Sequence, residues 1–139
     1  MNAHDNRGVD LFLKHEQALG LSHCLLLLCK DVNHPVIQDI KLALDKVIAS
    51  LEQATDVAKE FGEEKAIPST SEQFKAYKLF YEAKEDLHDG IDLINPASLN
   101  GNKLYLHIVN AAWAIFDLLH SATELANDLL ENPPAKQAA

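Results

Sequence analysis

From Ile37 to Phe61 the apolar residues Ile37, Ile40, Leu44, Val47, Leu51, Ala54, Ala58 and Phe61 recur at alternating intervals of three and four. That spacing gathers them on one stripe of an α-helix, whereas a strand would scatter them over both faces. The stretch is therefore expected to be helical, with its stripe packed against other helices. The punctuation around it sets the remaining elements. Asn33-His34-Pro35 ends the preceding helix, because the residue before a proline disfavours helical dihedrals, and Pro35 suits the first turn of the next. Helices are predicted from about Val9 to Val32 and from Pro35 to Phe61, with Gly62 as the C-cap of the second. A third is expected to be capped by Ser71 or Thr70, with Glu72 near its positive end, and runs to about Ile94, where Asn95-Pro96 stops it. After the Asn100-Gly101 turn a fourth runs from about Asn102 to Leu130 and ends at Asn132-Pro133-Pro134. Residues 1–8 and 132–139 are expected to be flexible ends.

No stretch has the β-branched alternation of a strand. Short connections make successive helices antiparallel neighbours, so the expected fold is all-α, an antiparallel up-down-up-down four-helix bundle. At 139 residues the chain suits one domain, and 47% hydrophobic with 24% charged residues is an ordinary globular balance.

The four helices differ in how many faces are apolar. Helix 2 has one inward stripe, and so has helix 3, with Ala76, Phe80, Ala83, Leu87, Ile91 and Ile94 flanked by Tyr77. Helix 4 has an inward stripe of Leu104, Ile108, Ala111, Ile115, Leu118, Ala122, Leu125 and Leu129. Its Leu106, Val109, Trp113 and Phe116 fall roughly 100–180° away at about 100° per residue, with His120 beside them. In helix 1, Leu11, Ala18, Leu21, Leu25 and Leu28 form the expected inward stripe, and Phe12, Leu19, His23 and Leu26 a second. Helices 1 and 4 are neighbours in an up-down bundle, so their second stripes are expected to merge into one apolar surface. Monomers rarely expose large apolar patches, which makes this surface a candidate subunit interface, with Trp113 as its anchor. A homodimer through helices 1 and 4, or contact with another protein, is the expected partner state.

A net charge of −9, from 21 acidic and 12 basic residues, repels phosphate backbones and anionic membrane surfaces. The unbroken apolar run Cys24 to Cys29, which no other run exceeds, is far short of the ~20 residues a spanning helix needs. Neither nucleic acid nor membrane is an expected partner. Cys24 and Cys29, five residues apart on one helix, point to different sides and read as unreactive buried thiols. The polar opening Met1-Asn2-Ala3-His4-Asp5-Asn6-Arg7 lacks the pattern of a signal peptide. A cytoplasmic setting is expected.

Seven histidines raise the question of metal. Glu85-x-x-His88 and Asp117-x-x-His120 resemble half-sites of carboxylate di-metal bundles, but helices 1 and 2 place no acid on their inward stripes. His88 and His107 are expected at one level if the last turn centres near Ser98, with His23 a few residues away along the axis, and imidazoles suit zinc, copper or haem iron. Boundary histidines more often pack and hydrogen-bond, so no cofactor or metal is expected, and His23, His88 and His107 stand as the alternative site. As a phosphotransfer histidine, His88 would stand in the negative field of Glu85, Asp86, Asp89 and Asp92. Glu60 with Glu63 and Glu82 with Glu85 have the spacing of a magnesium-dependent nucleotide pyrophosphohydrolase, but lie about two helical turns out of level. No phosphate loop, nucleophile elbow or Cys-x-x-Cys is present. The expected function is a non-enzymatic interaction or regulatory bundle, with the metal- or haem-binding bundle and the pyrophosphohydrolase as alternatives.

Overall fold

The computed structural model describes residues 5–63, 68–99 and 101–134. Four α-helices carry the fold: α1 (Arg7–Cys29), α2 (Pro35–Glu63), α3 (Thr70–Ile91) and α4 (Lys103–Glu131). A 3-10 turn at Pro96–Leu99 precedes α4, and no strand occurs among the described residues. Each helix packs on the next and α4 returns to α1, which closes an antiparallel four-helix bundle. Arg7 at the start of α1 meets Asp128 near the end of α4, and Gly90 late in α3 meets Ala43 early in α2.

The helix ends show why the turns form where they do. Ser69, not Thr70 or Ser71, caps α3, its hydroxyl accepting from the Glu72 N–H at 3.2 Å. Asn102 caps α4 in the same way, its side-chain oxygen accepting from the Tyr105 N–H at 3.2 Å. Gly101, at φ 72°, makes the left-handed step before that cap, which a side chain would disfavour. α1 stops at Cys29 rather than Val32, and Lys41 of α2 satisfies the carbonyls beyond it, donating to Lys30 O at 3.0 Å and Val32 O at 3.2 Å. Gly62 is not a C-cap but lies inside α2, where an added Cβ would sit 2.7 Å from the Phe12 ring. Arg7, expected in a flexible end, opens α1 and ion-pairs with Asp5 and Asp128 at 2.6 Å each. Its guanidinium holds both carboxyls below the usual carboxylate range. Gly8 also lies in α1, whereas 1–4 and 135–139 of the ends expected to be flexible lie outside the described residues, as do Ile67 and Asn100 of the turns.

The core is where the three-four spacing put it on α2 and α3. All eight stripe residues of α2 are buried, as are Ala76, Phe80, Ala83, Leu87 and Ile91 of α3. Ile94 lies past the end of α3 and is only partly buried. The end helices are turned relative to expectation. α1 buries Leu11, His15, Ala18, Ser22, Leu25 and Cys29, leaving Leu21 and Leu28 about half exposed. α4 buries Ile108, Val109, Ala112, Ile115, Leu119, Ala122, Thr123, Ala126 and Leu129, leaving Leu104 exposed and Ala111, Leu118 and Leu125 at the margin.

Candidate interaction surface

α1 carries two stripes of the same four-three period on opposite sides. Half a turn from the buried one, at about 100° per residue, Leu13, Gln17, Gly20, Cys24 and Leu27 face outward. Leu27 is 72% exposed and Leu13 50%, and Leu28 at 53% and Leu21 at 47% flank them. From Gln17 to Cys29 there is no charged side chain, although the chain as a whole carries −9. A Cβ placed on Gly20 would meet nothing within 4 Å. From Gln17 to Cys29 the outer face of α1 thus carries no formal charge, is apolar apart from Gln17, and is open at its middle.

The polar residues on the inner side of α1 are tied down locally. Ser22 donates to Ala18 O at 2.6 Å, within its own helix. His15, fully buried, places Nε2 2.7 Å from Leu51 O, which requires that nitrogen to carry the proton, and its ring meets Phe80 edge-on at 5.9 Å. Its Nδ1 has no hydrogen-bond partner among the described residues. Hydropathy patterning gives no signal for a histidine in this place. The only trace in the sequence is that His15 falls four residues after Leu11 and three before Ala18.

The residues expected to form the interface lie on two separate flanks. Phe12 closes over Gly62, His23 lies 3.7 Å from Glu52, and His23, Leu26 and Leu27 line a groove of about 420 Å³ with Lys30, Lys41 and Asp45. Phe12, Leu19 and Leu26 are partly buried along this α1–α2 junction. On α4, Val109 is buried, Leu106 is exposed, and Trp113 and Phe116 pack against His88 of α3 at 6.0 and 5.4 Å between rings. His120 stacks on Phe116 and approaches Glu124 at 3.1 Å, at the edge of an α3–α4 groove shared with Tyr77, Tyr81 and Lys84. The two stripes therefore do not merge. One faces α2 and the other faces α3, on opposite sides of the α1–α4 pair.

The histidines are dispersed. His23 is on the α2 flank of α1 and His88 is on the α4 flank of α3, 3.4 Å from Asp92. His107 is exposed and about 120° around α4 from Trp113, so it shares neither a level nor a side with His88. Among the described residues, the close group of metal-type ligands is Glu85, His88 and Asp89, whose ligand atoms lie within 4.8 Å of one another on one exposed edge of α3. The acid pairs weighed for nucleotide hydrolysis do not face each other. Glu60 meets Glu72, with partial burial first and that neighbour second pushing the Glu60 carboxyl up, while Glu82 pairs with Lys78 at 4.0 Å. No family model, no curated protein and no solved structure matches the chain. Among the described residues, no helix is long and apolar enough to cross a membrane.

The cysteines divide rather than sharing one environment. Both are free, Cys29 is buried, and Cys24, expected to be buried, is exposed on the outer face of α1. Burial pushes the Cys29 thiol up from its ordinary value. In a thiol titration with a chromogenic disulfide at low micromolar protein, one thiol per chain is expected to react readily. The second should react only after unfolding, and a Cys24→Ser variant should lose the fast phase. A fast phase that survives in Cys24→Ser would mean that Cys29 is accessible.

Proposed function

We propose that this chain is a non-enzymatic helical interaction module that works as a homodimer, through the outer face of α1 where it adjoins α4. The observation that carries the reading is the exposed, charge-free leucine face of α1. A helix of a monomer normally points charged and polar residues outward. Here the outward positions of the second half of α1 are leucine, cysteine and glycine, with His23 exposed on the α2 flank, while the polar His15 and Ser22 are inside. Two copies each carrying −9 repel, and an uncharged face is where they can meet without opposing like charges. Leu104, exposed at the start of α4, stands at the same end of the bundle as Leu27 and Leu28. A cytoplasmic setting belongs to this reading, since both thiols are free. The dispersal of His23, His88 and His107 lends no support to a metal or haem site, and the separation of Glu60 from Glu82 none to pyrophosphate hydrolysis.

The test is light scattering coupled to size exclusion at tens to hundreds of micromolar chain. Wild type is expected to run as a dimer that dissociates on dilution, and Leu27→Glu as a monomer with unchanged helix content. Leu93→Glu changes the most exposed leucine, 91% accessible in the turn after α3, and should leave the dimer intact. A monomeric wild type at the highest concentration would overturn the proposal.

A further inference from the structure

The outer face of α1 has a symmetry that specifies how two copies meet, on the reading that the dimer forms through this face. Leu13 and Leu27 lie seven residues before and after Gly20, and Gln17 and Cys24 lie three before and four after. Run backwards, the stripe is nearly the same stripe. We infer that two copies pack α1 against α1 in antiparallel fashion, with the two-fold axis at Gly20. Each Leu13 then lies beside the second copy's Leu27, and the two glycines face each other at the crossing point. Such an isologous contact closes on itself and needs no other partner.

Two observations support that choice of occupant, and a third sets its strength. Gly20 stands mid-helix with open space where a Cβ would be, although glycine there costs ~1 kcal/mol of helix propensity relative to alanine. Bare backbone at a crossing point lets two helix axes come closer than a large side chain such as leucine would allow. The flanking outward residues Leu21, Leu28 and Cys24 are uncharged, so the overlap from residue 13 to residue 27 opposes only Lys14 and Glu16 to the same span of the second copy. Finally, α1 is ~35 Å long and ~10 Å wide, so a face of this size falls below the ~800 Å² per partner of a standard interface. A micromolar dimer is the expected result, rather than a permanent one.

Cysteine cross-linking in a Cys24→Ser background tests the geometry. About a dyad at Gly20, the two copies of residue 13 are ~21 Å apart along the axis and the two copies of residue 24 ~12 Å, beyond the ~4.4–6.8 Å between Cα atoms that a disulfide spans. Gly20→Cys is expected to form a covalent dimer under mild oxidation. Leu13→Cys and Leu27→Cys should each fail to do so alone, and the double variant carrying both should succeed. Light scattering on the same reduced samples shows whether each variant still associates. If wild type dimerises but Leu13→Cys alone cross-links, the pairing is parallel and the inference falls while the dimer stands. If Gly20→Cys associates without cross-linking, the dyad is elsewhere. A wild type that stays monomeric overturns both.

Discussion

Phe80→Ala is expected to destabilise the protein by about 3–5 kcal/mol, the cost of deleting a buried aromatic ring and leaving a cavity. Phe80 has no exposed surface and sits mid-bundle on α3, edge-on to the His15 ring at 5.9 Å. Its loss removes apolar burial and also uncovers one side of an imidazole whose Nδ1 already lacks a partner. Water entering the cavity could reach that nitrogen, which would offset part of the cost. Phe80→Leu keeps most of the volume and should cost less than half as much. Urea unfolding followed by circular dichroism reads both values. Since single domains are stable by only about 5–15 kcal/mol, the alanine variant should lose a large share of its stability and melt more than ~10 °C lower. A loss under ~1 kcal/mol would mean that Phe80 is not in the core.

Gly90→Ala should also destabilise, against the helix preference of alanine, which alone would add up to ~1 kcal/mol. A Cβ at Gly90 would lie 2.6 Å from the Ala43 Cβ and 3.4 Å from the Asp39 carbonyl oxygen. Neither atom is the end of a flexible side chain, so α2 and α3 would have to move apart. Overpacking of this kind costs about 1–3 kcal/mol. The companion change Ala43→Gly removes the opposing methyl and should itself cost ~1 kcal/mol in helix propensity. Combined, the two changes exchange the small residues across the contact. The double variant should be more stable than the sum of the single losses predicts, with a coupling above ~1 kcal/mol. Strict additivity would show that the close approach of α2 and α3 at this level is not what Gly90 is there for.

Much of the fold was legible in order of residues alone. Pro35, Asn95-Pro96 and Asn132-Pro133-Pro134 break the chain where helices must stop, and the three-four stripes of α2 and α3 are each the single apolar face their helix has. A helix with one stripe has one way to face a core. On α2 every stripe residue is buried, and on α3 only Ile94, past the helix end, is not. The number of helices, their antiparallel order and the inner faces of α2 and α3 follow from local chemistry and short connections.

What only the tertiary structure decided is the rotation of α1 and α4. Each has two competing stripes, and period alone cannot rank them. Packing settles the matter by sharing burial between stripes. α1 turns by roughly 40° from the expected face, at about 100° per residue, so that Phe12, Leu19 and Leu26 lean on α2. α4 turns similarly so that Trp113 and Phe116 lean on α3 against His88. The turn brings Ser22 and His15 inside, which is tolerable because Ala18 O and Leu51 O accept their hydrogens. The same turn carries Leu21, Leu28 and Cys24 outward and separates the two stripes expected to merge. Large side chains at a helix junction gain burial from two neighbours at once, and that gain depends on where the neighbours stand. Spacing along the chain holds no record of those positions, so the exposed face of α1 became visible only once the four helices were in place.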